Sequence, residues 1–168
     1  MGIIFSKEKR SIYGAGCIFT DGSLILAGYQ PIKKTPLISG IGGKRDEDEY
    51  YFETAHRELL EEVFGIKEGQ QNLSTHIERM IKPIRTLYVG NYVNLVYSFK
   101  DLEYILTLIH SLSMKSEFYD EFPQNLQDLI FKRKIVQGAE IQQLVILPVA
   151  KFTIADEFLK DIKMLLTK

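Results

Sequence analysis

Glu58, Glu61 and Glu62 stand at i, i+3 and i+4, a spacing that on a helix projects all three carboxylates from one side. Carboxylates crowded in this way repel one another, so they either rise in pKa or recruit a divalent cation. An all-oxygen ligand set favours Mg2+ or Mn2+ over Zn2+. An ion held by a few carboxylates keeps positions for water and for phosphate oxygens, so it can bridge the two reactants of a phosphoanhydride hydrolysis. Water deprotonated by a carboxylate would attack one phosphorus in line, and the cations would neutralise the charge growing on the leaving phosphate. The spacing leaves open which glutamate is the base. Arg57 lies four residues before Glu61, within ion-pair reach along a helix, which suits an orienting role.

The three glutamates belong to a longer register. Gly43 is followed after five residues by Glu49, after seven more by Arg57-Glu58-Leu59, and past one spacer by Glu61-Glu62 and then Val63-Phe64-Gly65-Ile66. This stretch resembles the signature box of the Nudix hydrolases, with Phe64 as one extra residue before the glycine. The insertion follows the carboxylates, so it bears on the helix exit rather than on metal ligation.

The resemblance implies an Mg2+-dependent (or Mn2+-dependent) hydrolase of a nucleoside diphosphate linked to another moiety: a nucleotide, a dinucleotide, a nucleotide sugar or an mRNA cap. It gives Glu58, Glu61 and Glu62 the metal-binding and catalytic roles and lets the Gly43 carbonyl join the metal shell. Glu49 caps or braces the helix. In some family members an acid outside the box supplies the base or a further ligand, and Glu140, after Gly138 at the start of a strand, is the candidate here. The run ISGIGGKR and the extra Phe64 are similar to Nudix proteins of large DNA viruses, some of which remove the mRNA cap. Capped RNA therefore joins the expected substrates. The competing reading is a non-catalytic Nudix-like domain that senses a nucleotide or docks a partner, although a pure binder has no need of a self-repelling trio.

These residues need a frame. Residues 11–20 and 23–30 are β-rich and flank Asp21-Gly22, which predicts an N-terminal hairpin. Residues 31–43 hold Pro31, Pro36, Gly40, Gly42 and Gly43 and predict a loop with a short strand near Leu37-Ile38. The apolar stripe Phe52, Ala55, Leu59, Val63 predicts a helix over about 49–64, stopped by Gly65. Residues 67–75 are polar and lead to a second hairpin, 84–89 and 92–99, about Gly90-Asn91.

Residues 100–134 predict a helical insertion, with one helix over 101–114 and another over 118–130 broken by Pro123. A strand over 140–147 and an amphipathic helix over 153–166 close the chain. Patterning gives an α+β domain. The resemblance gives an α/β class, the α/β/α sandwich with a mixed sheet, as one Nudix domain over 1–168.

Basic and aromatic residues supply secondary candidates. Lys33, Lys34, Lys44 and Arg45 could hold a polyphosphate beside the metal. Lys132, Arg133 and Lys134 form either a contact to a nucleic-acid backbone or a solvated end of the insertion. His56, His76 and His110 lack metal-ligand spacing. Tyr13, Tyr29, Tyr92 and Tyr97 offer stacking faces or core partners.

With 168 residues, 45% of them hydrophobic, the chain can bury one real core, and a formal charge of -1 excludes bulk attraction to nucleic acid or acidic membranes. Cys17 is the only cysteine and lies in an apolar run, which excludes an internal disulfide and suits a reducing compartment. No segment has the length of a membrane span or of a signal-peptide core, so a cytoplasmic protein is expected, in the host cytoplasm if viral. Met1-Gly2 with Ser6 fits the loose N-myristoylation pattern. The apolar residues of the insertion leave room for a homodimer.

Overall fold

The computed structural model describes residues 12–31, 37–149 and 156–167. They begin with β1 (Gly14–Phe19), β2 (Leu24–Gln30), β3 (Leu37–Ser39), β4 (Ile41–Lys44), α1 (Tyr51–Glu62) and α2 (Gln70–Met80). They continue through β5 (Arg85–Val89), β6 (Tyr92–Tyr97), α3 (Phe99–Ser111), α4 (Leu126–Phe131), β7 (Gln143–Pro148) and α5 (Asp156–Leu166).

Two sheets form. One has the order β4-β1-β6-β5 and the other β3-β2-β7. The first is mixed, because β1 runs parallel to β6 and antiparallel to β4, while β5 is antiparallel to β6. The second is wholly antiparallel.

The period of two along β1 explains why helices cover both faces. Ala15, Cys17 and Phe19 point into the main core with Ala55 and Leu59 of α1 and Leu102 and Ile105 of α3. Ile18, between them, joins Val96, Phe158 and Ile162 in a second cluster under α5. Helix, sheet and helix are thus layered, and the class is mixed α/β, as expected.

Several expectations need correction. β1 and β2 are joined by the Asp21-Gly22 turn but lie in different sheets, linked by a single bridge, Thr20 to Ile25. The Asp21 carboxylate accepts the amides of Ser23 and Leu24, both at 2.8 Å, so the turn holds itself without a paired hairpin. The polar stretch after Gly65 holds a helix, α2, whose Leu73 and Ile77 are buried one turn apart. Pro123 lies outside any helix, and only Leu126–Phe131 is helical in that region. Glu140 precedes β7 rather than belonging to it.

Residues 100–134 are no appendage. Leu102, Ile105, Leu106 and Ile109 are fully buried in the main core of this same chain, whereas Leu112 and Phe131 of the same stretch are exposed. Burying each of the core residues is worth roughly 1.5–3 kcal/mol. The hairpin of β5 and β6 about Gly90-Asn91 forms as expected, with Gly90 at φ +59. Cys17 is a buried core residue. No helix among the described residues is long and apolar enough to cross a membrane. The N-myristoylation pattern, with Met1, Gly2 and Ser6, lies outside the described residues.

Candidate metal and phosphate site

Helix α1 carries the acidic cluster. Its stripe is as expected: Ala55, Leu59 and Val63 are completely buried and Phe52 packs partly buried beside them. At the start, Glu53 accepts the amide of Tyr50 at 2.7 Å, satisfying one donor that the first turn leaves unpaired. Because the apolar stripe fixes the helix rotation, Glu58 and Glu62 are turned toward β4, while Glu61, one position round, accepts Gln70 Nε2 of α2 at 3.0 Å.

Arg57 organises the acids around it. Its Nε donates to Glu49 Oε1 at 2.6 Å and its Nη2 to Glu49 Oε2 at 3.1 Å. Nη1 donates to Glu58 Oε1 at 2.8 Å and lies 3.7 Å from Glu61 Oε2, while Nη2 also reaches the Lys44 carbonyl at 2.9 Å. Burial raises Glu49, yet the bonds from Arg57 and Thr54 outweigh it and hold its carboxyl below the ordinary range. The Glu49 hydrogen bond in turn raises Arg57. Glu49 braces the site and does not cap α1: its Oε2 accepts Thr54 Oγ1 at 2.8 Å and the Asp46 amide at 3.2 Å.

Glu62 lies beyond the reach of Arg57 in this network and accepts the Gly42 amide at 2.9 Å. Burial, opposed by that bond and reinforced by the charges of Glu58, Glu140 and Glu61, pushes its pKa up to about 8. Glu58 is also raised, first by burial. Glu140 lies in a different segment, and its charge is among the lesser causes that raise Glu58 and Glu62. Its Oε1 accepts Gln30 Nε2 at 3.2 Å, from a side chain that is itself buried.

The two glycines of β4 let the helix come this close. A Cβ on Gly43 would collide with the Glu58 carboxylate. Gly42 has φ +151, and a side chain there would run into the Tyr92 hydroxyl and the backbone of Gly16, its partner across the sheet. Beside them opens a cleft of about 500 Å³ lined by Tyr13, Tyr92, Lys44, Phe158, Lys160 and Glu140, among others.

The other predicted residues fall variously. Lys44 lines the cleft. Arg45 does not: its Nε bonds the Ile12 carbonyl and its Nη1 the Glu49 carbonyl, both at 2.8 Å, so it ties the loop after β4. Lys33 and Lys34 lie outside the described residues. Lys132 and Lys134 pair with Asp128 and Asp120 at 3.0 and 2.6 Å, leaving no basic patch with Arg133. His56 is buried between Ser74 Oγ at 3.1 Å and Tyr97 Oη at 3.0 Å, a structural role as expected. Tyr97 is core, and Tyr13 and Tyr92 lie together at the cleft, ring centres 5.8 Å apart.

Three contributors escape the sequence: Gly42, Gln30 and Arg133. Gly42 sits in the glycine run whose Gly43 is flagged, but only the register of β4 on β1 shows which amide meets Glu62. Gln30 and Arg133 act across long sequence separations and leave no local signal.

A divalent cation suits this donor set by its chemistry: oxygen ligands only, and a repulsion among four carboxylates that one arginine does not balance. The side chains are not gathered into a closed ligand sphere. Among the described residues no three His, Cys, Asp or Glu side chains converge as a metal cluster: Glu58 is held by Arg57, Glu61 by Gln70 and Glu62 by the Gly42 amide.

The sequence matches no protein-family model and no curated protein. Among solved structures, the chain is similar to a hydrolase of the NUDIX family from Clostridium perfringens, at 15% identity over 92% of this chain and 96% of that one, with a TM-score of 0.40. A NUDIX hydrolase from Nitrosomonas europaea is similar at 14% identity over 51% of this chain and 55% of that one, with a TM-score of 0.29. Likenesses of this size leave the functional reading to the residues themselves.

Proposed function

We propose that this chain is a divalent-metal-dependent hydrolase of the Nudix type, cleaving the phosphoanhydride of a nucleoside diphosphate linked to another moiety. One observation carries the reading. The spacing from Gly43 to Glu62 folds so that Gly42-Gly43 touch both Glu58 and Glu62, and Glu140 adds its charge from a different segment. A merely solvated acidic face has no reason to press two carboxylates against a pair of bare glycines.

Glu58, Glu61 and Glu62, with the Gly43 carbonyl, would hold Mg2+ or Mn2+. A bound ion supplies Lewis-acid polarisation of the bridging phosphates and lowers the pKa of attacking water. The chain's own residues supply the orientation. Arg57 fixes Glu58, the Gly42 amide fixes Glu62, and Gln30 fixes Glu140, which serves as the base or as a further oxygen ligand. Tyr13 and Tyr92 give the cleft aromatic faces for a base, and Lys44 and Lys160 give it cations for phosphates.

The test is release of phosphate products from a panel containing ADP-ribose, NADH, dinucleoside polyphosphates, dNTPs, diphosphoinositol phosphates and capped RNA, with Mg2+ and then Mn2+. Capped RNA is in the panel on the sequence likeness to viral Nudix proteins. Metal-dependent cleavage of at least one member is expected. Tight binding of a nucleotide with no cleavage of any would instead support the sensing domain.

A further inference from the structure

Helix α1 ends irregularly. Gly65 N bonds the Glu61 carbonyl at 3.2 Å, and Ile66 N bonds back to the Leu60 carbonyl at 2.8 Å, a wide closure that accommodates the additional Phe64. Phe64 is completely buried and packs edge-on against Phe122, ring centres 5.8 Å apart. The last carbonyls of the helix therefore need donors from elsewhere. Ser116 Oγ supplies one to Phe64 at 2.5 Å, and Arg133 supplies the others.

Arg133 Nη1 donates to the Val63 carbonyl at 2.6 Å and Nη2 to the Glu62 carbonyl at 2.7 Å. The same guanidinium donates to Ile141 at 2.9 Å through Nη2 and to Gln142 at 3.4 Å through Nε. Its carbon lies 3.9 Å from the centre of the Phe118 ring. A planar fork of five donors stacked on an aromatic face is what one residue needs to hold two backbone segments together, and lysine cannot reproduce it.

The two segments are those that carry the acids. Glu62 is the last residue of α1, and Glu140 directly precedes Ile141 and Gln142. The 136–142 turn is closed on itself, since Gln142 Nε2 donates to Val136 and Ala139, each at 2.9 Å. It is braced internally and anchored to β2 by the Gln142 amide on the Tyr29 carbonyl at 2.9 Å, and Arg133 ties it to the end of α1.

We propose that Arg133 is a positioning residue that sets Glu140 against Glu62 by bonding the backbone on both sides. The inference rests on the metal-hydrolase reading above. Residues 100–134 thus contribute to the reaction by carrying this clamp, in addition to filling the core.

The test is calorimetric titration of the full chain with Mn2+, in wild type, Arg133→Lys, Glu140→Gln, the double variant, and Ser116→Ala. Arg133→Lys should weaken Mn2+ binding by about 10-fold, as loss of outer-shell support typically does, and Glu140→Gln, which removes a carboxylate from the site itself, by at least as much. The double variant should bind no more weakly than the weaker single. A merely structural Arg133 would give multiplying effects instead. Ser116→Ala, which removes a donor at the same helix end without touching residues 141–142, should stay within about twofold of wild type. If Arg133→Lys does not fold, Phe118→Leu loosens the same guanidinium and enters the same cycle. Multiplying effects, an inert Glu140→Gln, or an equal loss in Ser116→Ala overturns the role of Arg133 alone. A wild type that fails to bind Mn2+ overturns the metal reading beneath it.

Discussion

Arg57 grips Glu49 through both carboxylate oxygens, at 2.6 and 3.1 Å, and reaches Glu58 with the nitrogen that remains, at 2.8 Å. Both partners of the bidentate pair are mostly shielded, at 17% and 20% exposed. Replacing Arg57 with Ala leaves two carboxylates without their partner and should cost about 2–3 kcal/mol of stability, toward the lower end for a broken buried pair because some solvent reaches it. Arg57→Lys keeps the charge but loses the fork. Urea denaturation of both variants checks this: the Lys form should recover only part of the loss, and full recovery would contradict a bidentate role.

Gly43→Ala places a methyl group in the Glu58 carboxylate. Overpacking of this kind costs about 1–3 kcal/mol, while a displacement near 1 Å of a catalytic group can cost on the order of 100-fold in rate. Hydrolysis should therefore fall much more than stability does. Steady-state rates and melting temperatures of the same preparation separate the two, and a variant with wild-type turnover would remove Gly43 from the site.

How much of this was legible in the sequence varies with how local each signal is. The stripe of Phe52, Ala55, Leu59 and Val63 lies within one helix, so it fixed both the helix and the side on which the acids emerge. Gly90-Asn91 specified its hairpin for the same reason. Asp21-Gly22 specified a turn equally well but could not say that its strands enter different sheets, because strand partners are chosen by distant residues. Helix α2 was hidden by its polar residues, although Leu73 and Ile77 hold the four-residue spacing. Arg133 was legible only as part of the basic run 132–134, and its bonds to the end of α1 were hidden. It sits between two lysines that pair within their own segment, and its acceptors at Glu62 and Val63 are 71 and 70 residues away.

His56 gives the fold a pH dependence. Burial lowers its pKa from 6.5 to about 4, against a smaller opposing effect of its bond to Ser74. The unfolded chain therefore binds the proton more readily. Stability from the neutral ring is complete above pH 6.5 and is lost as pH falls toward 4. The shift corresponds to about 3 kcal/mol between those limits. Denaturation of wild type and His56→Gln at several pH values should give curves that converge on acidification, and a constant difference would contradict the assignment.

The central claim is that the cluster on α1 exists for a cation and not for stability, and Glu62→Gln tests it most directly. Gln keeps an oxygen for the Gly42 amide but cannot ionise. The folded-state pKa of Glu62, about 8, lies above the ordinary carboxylate value, so its contribution to stability is present below that ordinary value and lost as pH rises through 8. The variant should then melt no lower than wild type above pH 8 without metal. Its Mg2+-dependent hydrolysis of whichever nucleoside diphosphate derivative the wild type cleaves should fall on the order of 100-fold or more. A folded Glu62→Gln protein that hydrolyses this substrate at the wild-type rate would contradict the account.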